Sequence, residues 1–201
     1  MLPLGDSITW GYLPSSGGGY RLPLLNLLLA SNLTTDVLYI GSQHSDKFSN
    51  NANEGWPGYH IDQIADKAIL LLPDRPNVIL LMAGTNDIVF ADDVSGMPER
   101  LGRLIDECVQ ACPDAVVLVA QLTPLAGIGL EPEIETHNAA IPGIVQQRVQ
   151  DGAKTLVVDM QEPGVGLTMG DLEDGTHPND GGYEKMAGLW MSGLRNASAM
   201  G

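Results

Sequence analysis

The chain is short of basic residues. Its 201 residues hold 10 lysines and arginines against 25 aspartates and glutamates, a net charge of −15. That balance argues against electrostatic binding to nucleic acid or to anionic membrane surfaces. Solubility explains it, as does an extracellular setting. Long hydrophobic runs are also missing: the longest, near Ile69–Leu72 and Val78–Ala83, are too short to span a bilayer. Cysteine is limited to Cys108 and Cys112, and no second ligand pair follows at the spacing of a zinc site. The two are four apart on an expected helix and share a face. A bridge near the helix end, where Pro113 stops it, and two buried free thiols are both open readings. Neither a basic n-region nor an apolar h-region of a signal peptide is visible. Only Met1–Leu4 precede the first chemically suggestive segment, which reads as a mature or excised domain. The small, polar end Asn196–Gly201 could run into a linker.

Two segments hold the parts of a nucleophilic device. Gly5-Asp6-Ser7-Ile8-Thr9 places a serine just after a short apolar start, and Asp174-Gly175-Thr176-His177-Pro178 places an acid and a histidine three positions apart. A serine hydroxyl needs a base to accept its proton, and a carboxylate fixes that base's tautomer and stabilises the imidazolium. Ser7 is thus the candidate nucleophile, His177 the base and Asp174 the orienting acid. Each has a plainer reading: Ser7 as a turn or cap residue, His177 as the opening of a last helix, Asp174 as a loop carboxylate. No Gly-x-Ser-x-Gly elbow surrounds Ser7, which weighs against an ordinary α/β-hydrolase.

Strand and helix signals alternate along the chain. Helical spacing or density marks Tyr20–Ser31, His60–Leu72, Pro98–Cys112, Glu133–Gln150 (with Pro142 expected to kink or split it) and Asp180–Asn196. Val37–Ile40, Asn77–Ala83, Ala115–Leu122 and Thr155–Met160 read as strands, the longer two as continuous apolar runs of the kind buried on both faces. This βαβα rhythm implies a parallel sheet with helices on both sides, and no composition break divides the 201 residues, so 1–201 reads as one domain.

Four segments occur in order: Gly5-Asp6-Ser7, Gly55-Trp56-Pro57-Gly58, Gly84-Thr85-Asn86-Asp87 and Asp174-Gly175-Thr176-His177. Each resembles one block of the SGNH (GDSL-type) hydrolases, and the resemblance spans almost the whole chain. Glu54–Tyr59 further resembles the acetylxylan esterases of carbohydrate esterase family 3. The resemblance implies a three-layer α/β/α sandwich with a five-stranded parallel sheet in flavodoxin-like order and the site at the strands' carboxyl edge, where ligands of open parallel sheets bind. It assigns an oxyanion hole to the backbone N–H of Ser7, the backbone N–H of Gly58 and the side-chain amide of Asn86. A Pro-Gly turn and a loop-capping amide are the plainer readings of the last two. Asp6 and Asp87 are read as loop-orienting carboxylates.

The expected activity is that of a secreted, monomeric serine esterase removing acetyl groups from a polysaccharide such as acetylxylan, with no cofactor and no metal. Rival readings are a long-acyl lipase, lysophospholipase or thioesterase, and a non-catalytic carbohydrate-binding relative. The polar loops Ser15–Gly19 and Ser42–Asn53 favour a small acyl group. Aromatic residues make up only 5% of the chain, yet Trp10, Tyr12, Trp56, Tyr59 and Tyr183 fall near the blocks. Tyr12 and Trp56, in Gly/Pro-rich loops, are the candidates for stacking on a sugar. Asp171, Glu173, Asp174 and Asp180, and the loop Ser45–Glu54, invite a calcium reading, but neither resembles an EF-hand loop and solvated loops account for them. His44, His60 and His137 show no metal-ligand spacing, and His60 is expected to open a helix. Asn32-Leu-Thr34 and Asn196-Ala-Ser198 are glycosylation sequons, a slight pointer to secretion.

Overall fold

A computed structural model of the chain describes residues 1–13, 18–31, 33–34, 36–127 and 129–199. Five strands run parallel: β1 (Leu2–Gly5), β3 (Ala52–Gly55), β4 (Val78–Met82), β5 (Val116–Ala120) and β6 (Thr155–Val158). A sixth, the two-residue β2 (Gln43–His44), pairs antiparallel with β3 at the edge, and the order is β2-β3-β1-β4-β5-β6. Without that edge hairpin the order is the flavodoxin-like one. Helices α2 (Arg21–Leu29) and α7 (Asp180–Ala199) pack together on one side. On the other, α3 (Ile61–Leu71), α5 (Met97–Ala111) and α6 (Glu131–Gln150) pack in succession. Between these layers β4 and β5 are buried on both faces, as their apolar runs require. Tyr20 of the α2 cap and Trp190 of α7, both fully buried, bring their rings to 5.7 Å.

Two short helices sit at the carboxyl edge. α1 (Ser7–Trp10) follows β1 and α4 (Thr85–Val89) follows β4. Gly5 is in register with Gly55 on one side and Met82 on the other. A Cβ on Gly5 would lie 2.3 Å from the Met82 carbonyl oxygen and 2.5 Å from Thr9 Oγ1, so only glycine lets β1 turn this tightly into α1.

The differences from expectation have local causes. Val37–Ile40 is not a strand. It runs beside the start of β1 through two isolated bonds, Ile40 N–H to Met1 O and the Met1 ammonium to Leu38 O, both 2.9 Å. The parallel strand beside β1 is instead β3, which starts within the segment read as a polar loop. Its Ala-Asn-Glu-Gly sequence carries no apolar alternation, yet Asn53 and Glu54 are buried. Both side chains are hydrogen-bonded: the Asn53 amide donates to Ser45 Oγ and Asn51 O, both at 3.2 Å. Glu54 accepts from Ser42 N–H at 2.7 Å and from Trp56 Nε1–H at 2.8 Å.

Pro142 does not split α6. The carbonyl that a proline at 142 leaves without its helical donor is that of Asn138, and Gln121 Nε2 donates to it at 2.8 Å. Cys108 and Cys112 are free thiols, not a bridge. Cys112 caps the end of α5 and its Sγ bonds the Leu72 carbonyl at 3.4 Å, while burial pushes the Cys108 thiol up to about 12. Asn196 to Ala199 continue α7, and residues 200 and 201 of the end expected to run into a linker lie outside the described residues. Asn196 is exposed there; Asn32 of the other sequon and residues 15–17 of the Ser15–Gly19 loop lie outside the described residues. No helix among the described residues is long and apolar enough to cross a membrane.

Candidate active site

Ser7 opens α1 directly beyond β1, and is 7% exposed. Asp6 caps that helix: its Oδ1 accepts the Ile8 N–H at 2.9 Å. This is the loop-orienting part expected of it, and burial pushes its carboxyl above the ordinary range. From the far end of the chain, the loop before α7 brings His177 to the serine, with Ser7 Oγ 2.9 Å from His177 Nε2. His177 Nδ1 is in turn 2.9 Å from Asp174 Oδ2. With the Nδ1 proton held toward the carboxylate, Nε2 is free to accept from the serine hydroxyl.

The three-residue spacing works because Asp174 binds the backbone it precedes. Its Oδ1 accepts the N–H groups of Thr176 at 2.9 Å and His177 at 2.8 Å. Burial pushes the Asp174 carboxyl up, but these bonds and the imidazole outweigh it and hold the group below its ordinary value. The loop is closed by Glu173 N–H to His177 O at 2.8 Å. Asn179 rather than His177 caps α7, accepting the Gly182 N–H at 3.0 Å. Two of the acidic residues read as belonging to a solvated loop make specific bonds. Asp171 binds Thr168 and Lys185, both at 2.8 Å, and Asp174 holds the histidine.

The second block is tied through the backbone to Gly5, two residues before Ser7, and the third is tied to the second through the Asn86 amide. Gly5 O accepts the Trp56 N–H at 2.9 Å, which seats the Trp56–Tyr59 turn beside the serine. Gly58 in that turn has φ +81, and a Cβ there would meet nothing within 4 Å. The requirement for glycine is conformational, and the space beside it is open. Asn86, in α4 and 9% exposed, donates one amide hydrogen to Tyr59 O at 2.9 Å. The amide's second hydrogen remains for a ligand. Asp87 behind it accepts the Ile61 N–H at 3.1 Å and so orients the start of α3, where His60 is the N-cap as expected.

Several organising residues carried no sequence signal. Arg100, 7% exposed, lies 3.0 Å from buried Asp87 and donates to the carbonyls of Asp92 and Asp93 at 2.7 and 2.9 Å. His60, Asp87 and Asp92 bring ligand atoms within 4.8 Å of one another. The Arg100 guanidinium already supplies the positive charge there, 3.7 Å from Asp92 as well. Fully buried Arg21 ties the end of α1 to the 45–51 loop. Such residues look like solvated charges in a linear reading, and only their burial marks them. His137, a buried residue of α6, packs behind the third block, its Nε2 3.1 Å from where a Cβ on Gly84 would lie, and burial pushes its imidazole down to about 4.

Of the two aromatic candidates, Tyr12 is at the triad: its ring centroid is 4.8 Å from that of His177. Trp56 belongs to a packed group, with Lys67 Nζ 4.4 Å over its ring, Tyr59 stacked at 5.3 Å and its N–H on Glu54. A large, mainly apolar cavity of about 550 Å³ opens at the opposite edge of the sheet, lined by Met1, Val78, Val116 and Leu156 at the strands' amino ends.

A serine, histidine and aspartate in hydrogen-bonded series, at the carboxyl edge of the five parallel strands of a six-stranded sheet, define an SGNH-type hydrolase site. The sequence matches the GDSL-like lipase/acylhydrolase family over residues 4–185, and the chain belongs to that family. It is 30% identical over 95% of its length to a multidomain esterase of Ruminococcus flavefaciens, of which it spans 28%. A family 3 carbohydrate esterase from Clostridium thermocellum superposes with a TM-score of 0.83 at 30% identity, over 98% of this chain and 97% of that one. A family 3 carbohydrate esterase from Talaromyces cellulolyticus shares the fold with the same TM-score at 24% identity, over 100% of this chain and 98% of that one.

Proposed function

We propose that the protein is an extracellular serine esterase that removes acetyl groups from a polysaccharide, acetylxylan being the expected substrate. The observation that carries the reading is the unbroken series Ser7 Oγ, His177, Asp174 with both links at 2.9 Å. Likeness to a family 3 carbohydrate esterase supports the choice of sugar ester. The acidic chain and the exposed Asn196 sequon are consistent with secretion.

In this reading Ser7 Oγ attacks the ester carbonyl carbon while its proton passes to His177 Nε2. The tetrahedral oxyanion is received by the N–H groups of Ser7 and Gly58 and by Asn86 Nδ2. His177 gives its proton to the alkoxy oxygen of the sugar, which departs and leaves acetyl-Ser7. Water, deprotonated by His177, attacks the acetyl carbonyl; the bond to Ser7 Oγ breaks as His177 returns the proton to that oxygen, releasing acetate. Asp174 holds the tautomer throughout. No cofactor is needed for these steps.

Acetate release across a panel of acetylated polysaccharides tests the substrate, with acetylxylan expected to lead. A nitrophenyl ester series tests the acyl group. Acetyl should be cleaved with kcat/KM well above butyryl, and octanoyl should be nearly inert. A long-acyl site would instead gain about 0.8 kcal/mol per added methylene, so rates rising to octanoyl would move the chain to the lipase reading. Sugar binding without esterase activity would make it a binding module.

Asn86→Ala tests the oxyanion assignment. Turnover should fall by about 10²–10³ with KM little changed, because the amide acts on charge that develops only in the transition state. A change confined to KM would make Asn86 a ground-state contact.

A further inference from the structure

Attack by Ser7 divides the space around the scissile ester. The carbonyl oxygen turns toward the oxyanion donors. The alkoxy oxygen must come within hydrogen-bond reach of His177 Nε2, because that nitrogen returns the proton to it. Whatever side chain flanks the imidazole and is open to solvent therefore meets the leaving alcohol rather than the acyl group.

Among the described residues, Tyr12 is such a side chain. Its ring lies 4.8 Å from the imidazole centroid at an interplanar angle of 58°. It is 44% exposed, whereas Tyr20, Tyr39 and Tyr183 are each at most 1% exposed. Its position is set by the nucleophile turn itself. Tyr12 N–H donates to Ser7 O at 3.0 Å, and the buried Tyr183 hydroxyl donates to Tyr12 O at 3.0 Å. The exposed ring thus rides on a backbone anchored at Ser7 on one side and at α7 on the other. Leu13, the next residue, is also exposed, at 45%. Trp56, by contrast, has Lys67 over its ring and its N–H committed to Glu54.

We propose that Tyr12 is the specificity-determining wall on the leaving-group side of the site, its ring receiving the apolar face of a ring-shaped alcohol, which for the proposed substrate is the xylose unit released from the ester. The assignment of a sugar rests on the proposed function; the assignment of the leaving-group side rests on His177 alone. A pyranose presents C–H groups on its face and suits an aromatic ring, and a small open-chain alcohol has no such face to offer.

Four substrates separate the alternatives: methyl acetate, cyclohexyl acetate, methyl butyrate and acetylated xylo-oligosaccharide, each assayed with the native protein, Tyr12→Ala and Tyr12→Phe. The native protein should prefer cyclohexyl over methyl acetate. Tyr12→Ala should lower kcat/KM for cyclohexyl acetate and the oligosaccharide about five- to tenfold more than for methyl acetate, a size suited to one stacking contact. The ratio of methyl acetate to methyl butyrate should not move, and Tyr12→Phe should keep most of the ring preference. Equal losses on methyl and cyclohexyl acetates would overturn the proposal and leave Tyr12 as a support for His177. A shifted acetate-to-butyrate ratio would overturn it by placing the ring on the acyl side, and a native protein without ring preference would overturn it as well. If the ring preference disappears in Tyr12→Ala but the native protein leaves the oligosaccharide intact, the leaving-group wall stands and the sugar reading fails. Unchanged unfolding midpoints in both variants exclude misfolding as the cause.

Discussion

Ser7→Ala and His177→Ala should each lower esterase turnover by about 10⁴-fold or more while the protein stays folded. Ser7 is nearly buried at the start of α1, and its hydroxyl is engaged with His177 Nε2. Removing that one oxygen deletes the attacking atom and little volume. His177→Ala keeps the hydroxyl but removes the acceptor of its proton and the donor to the leaving alcohol. The two residues act as one unit, so the double variant should be scarcely worse than Ser7→Ala. Asp174→Asn should lose less. Its remaining oxygen can keep the Thr176 and His177 N–H groups that Oδ1 now accepts, which preserves the loop even though an amide faces Nδ1. Steady-state rates on nitrophenyl acetate, with circular dichroism to confirm folding, measure all four variants. Substantial activity in folded Ser7→Ala would end the acyl-enzyme mechanism.

Arg21→Ala should be the most destabilising single change away from the triad, by about 3–5 kcal/mol. Arg21 is fully buried, and its guanidinium donates to Thr9 O at 3.2 Å, Asn51 O at 2.7 Å and Trp10 O at 3.0 Å, and to the carbonyl and hydroxyl of Ser45. Among the described residues no carboxylate forms a salt bridge with it, and Phe48 lies under the guanidinium at 5.7 Å. Its charge is met by backbone carbonyls, a ring face and, without an ion-pair contact, the nearby Asp46 carboxylate. Truncation strands those carbonyls inside the protein and opens a cavity. With total stability of about 5–15 kcal/mol for a domain, the loss takes a large share and should lower the melting temperature by roughly 10 °C. Arg21→Lys should recover little, since one ammonium cannot reach a forked set of acceptors. The same change should weaken activity below the melting transition, because Thr9 and Trp10 end the helix that begins at Ser7. Native-like melting of Arg21→Lys would show that the charge, not the fork, matters.

Much of the architecture was legible in the chain because apolar density reports burial. The runs expected as strands at Asn77–Ala83, Ala115–Leu122 and Thr155–Met160 contain β4, β5 and β6. The leucine-rich and periodic segments contain α2 and α3 and all of α5 but its first residue. The edge strand β3 was not legible, because Asn53 and Glu54 are buried by hydrogen bonding instead of by hydrophobicity. Arg21 and Arg100 were missed for the same reason: charged residues are ordinarily solvated, and nothing beside them in the chain announces the carbonyls that receive them. The geometry of the helix end explains the cysteines. Spacing permitted a bridge, but Cys112 leaves the helical path as the cap and turns to the Leu72 carbonyl.

By itself the sequence determined the chemical kinds present: a serine after a short strand, an aspartate able to bind the backbone of the histidine three residues on, a glycine free to adopt φ +81 at position 58, and an amide at position 86. These are local properties, settled by covalent spacing and side-chain type. Only the tertiary structure decided that Gly5 lies between Gly55 and Met82, that Ser7 and His177 meet across 170 positions of chain, and that Tyr12 rather than Trp56 faces the imidazole. Those outcomes depend on strand register and on helices docking from opposite ends of the sequence. Such contacts come from burying one shared core and cannot be read from any single segment.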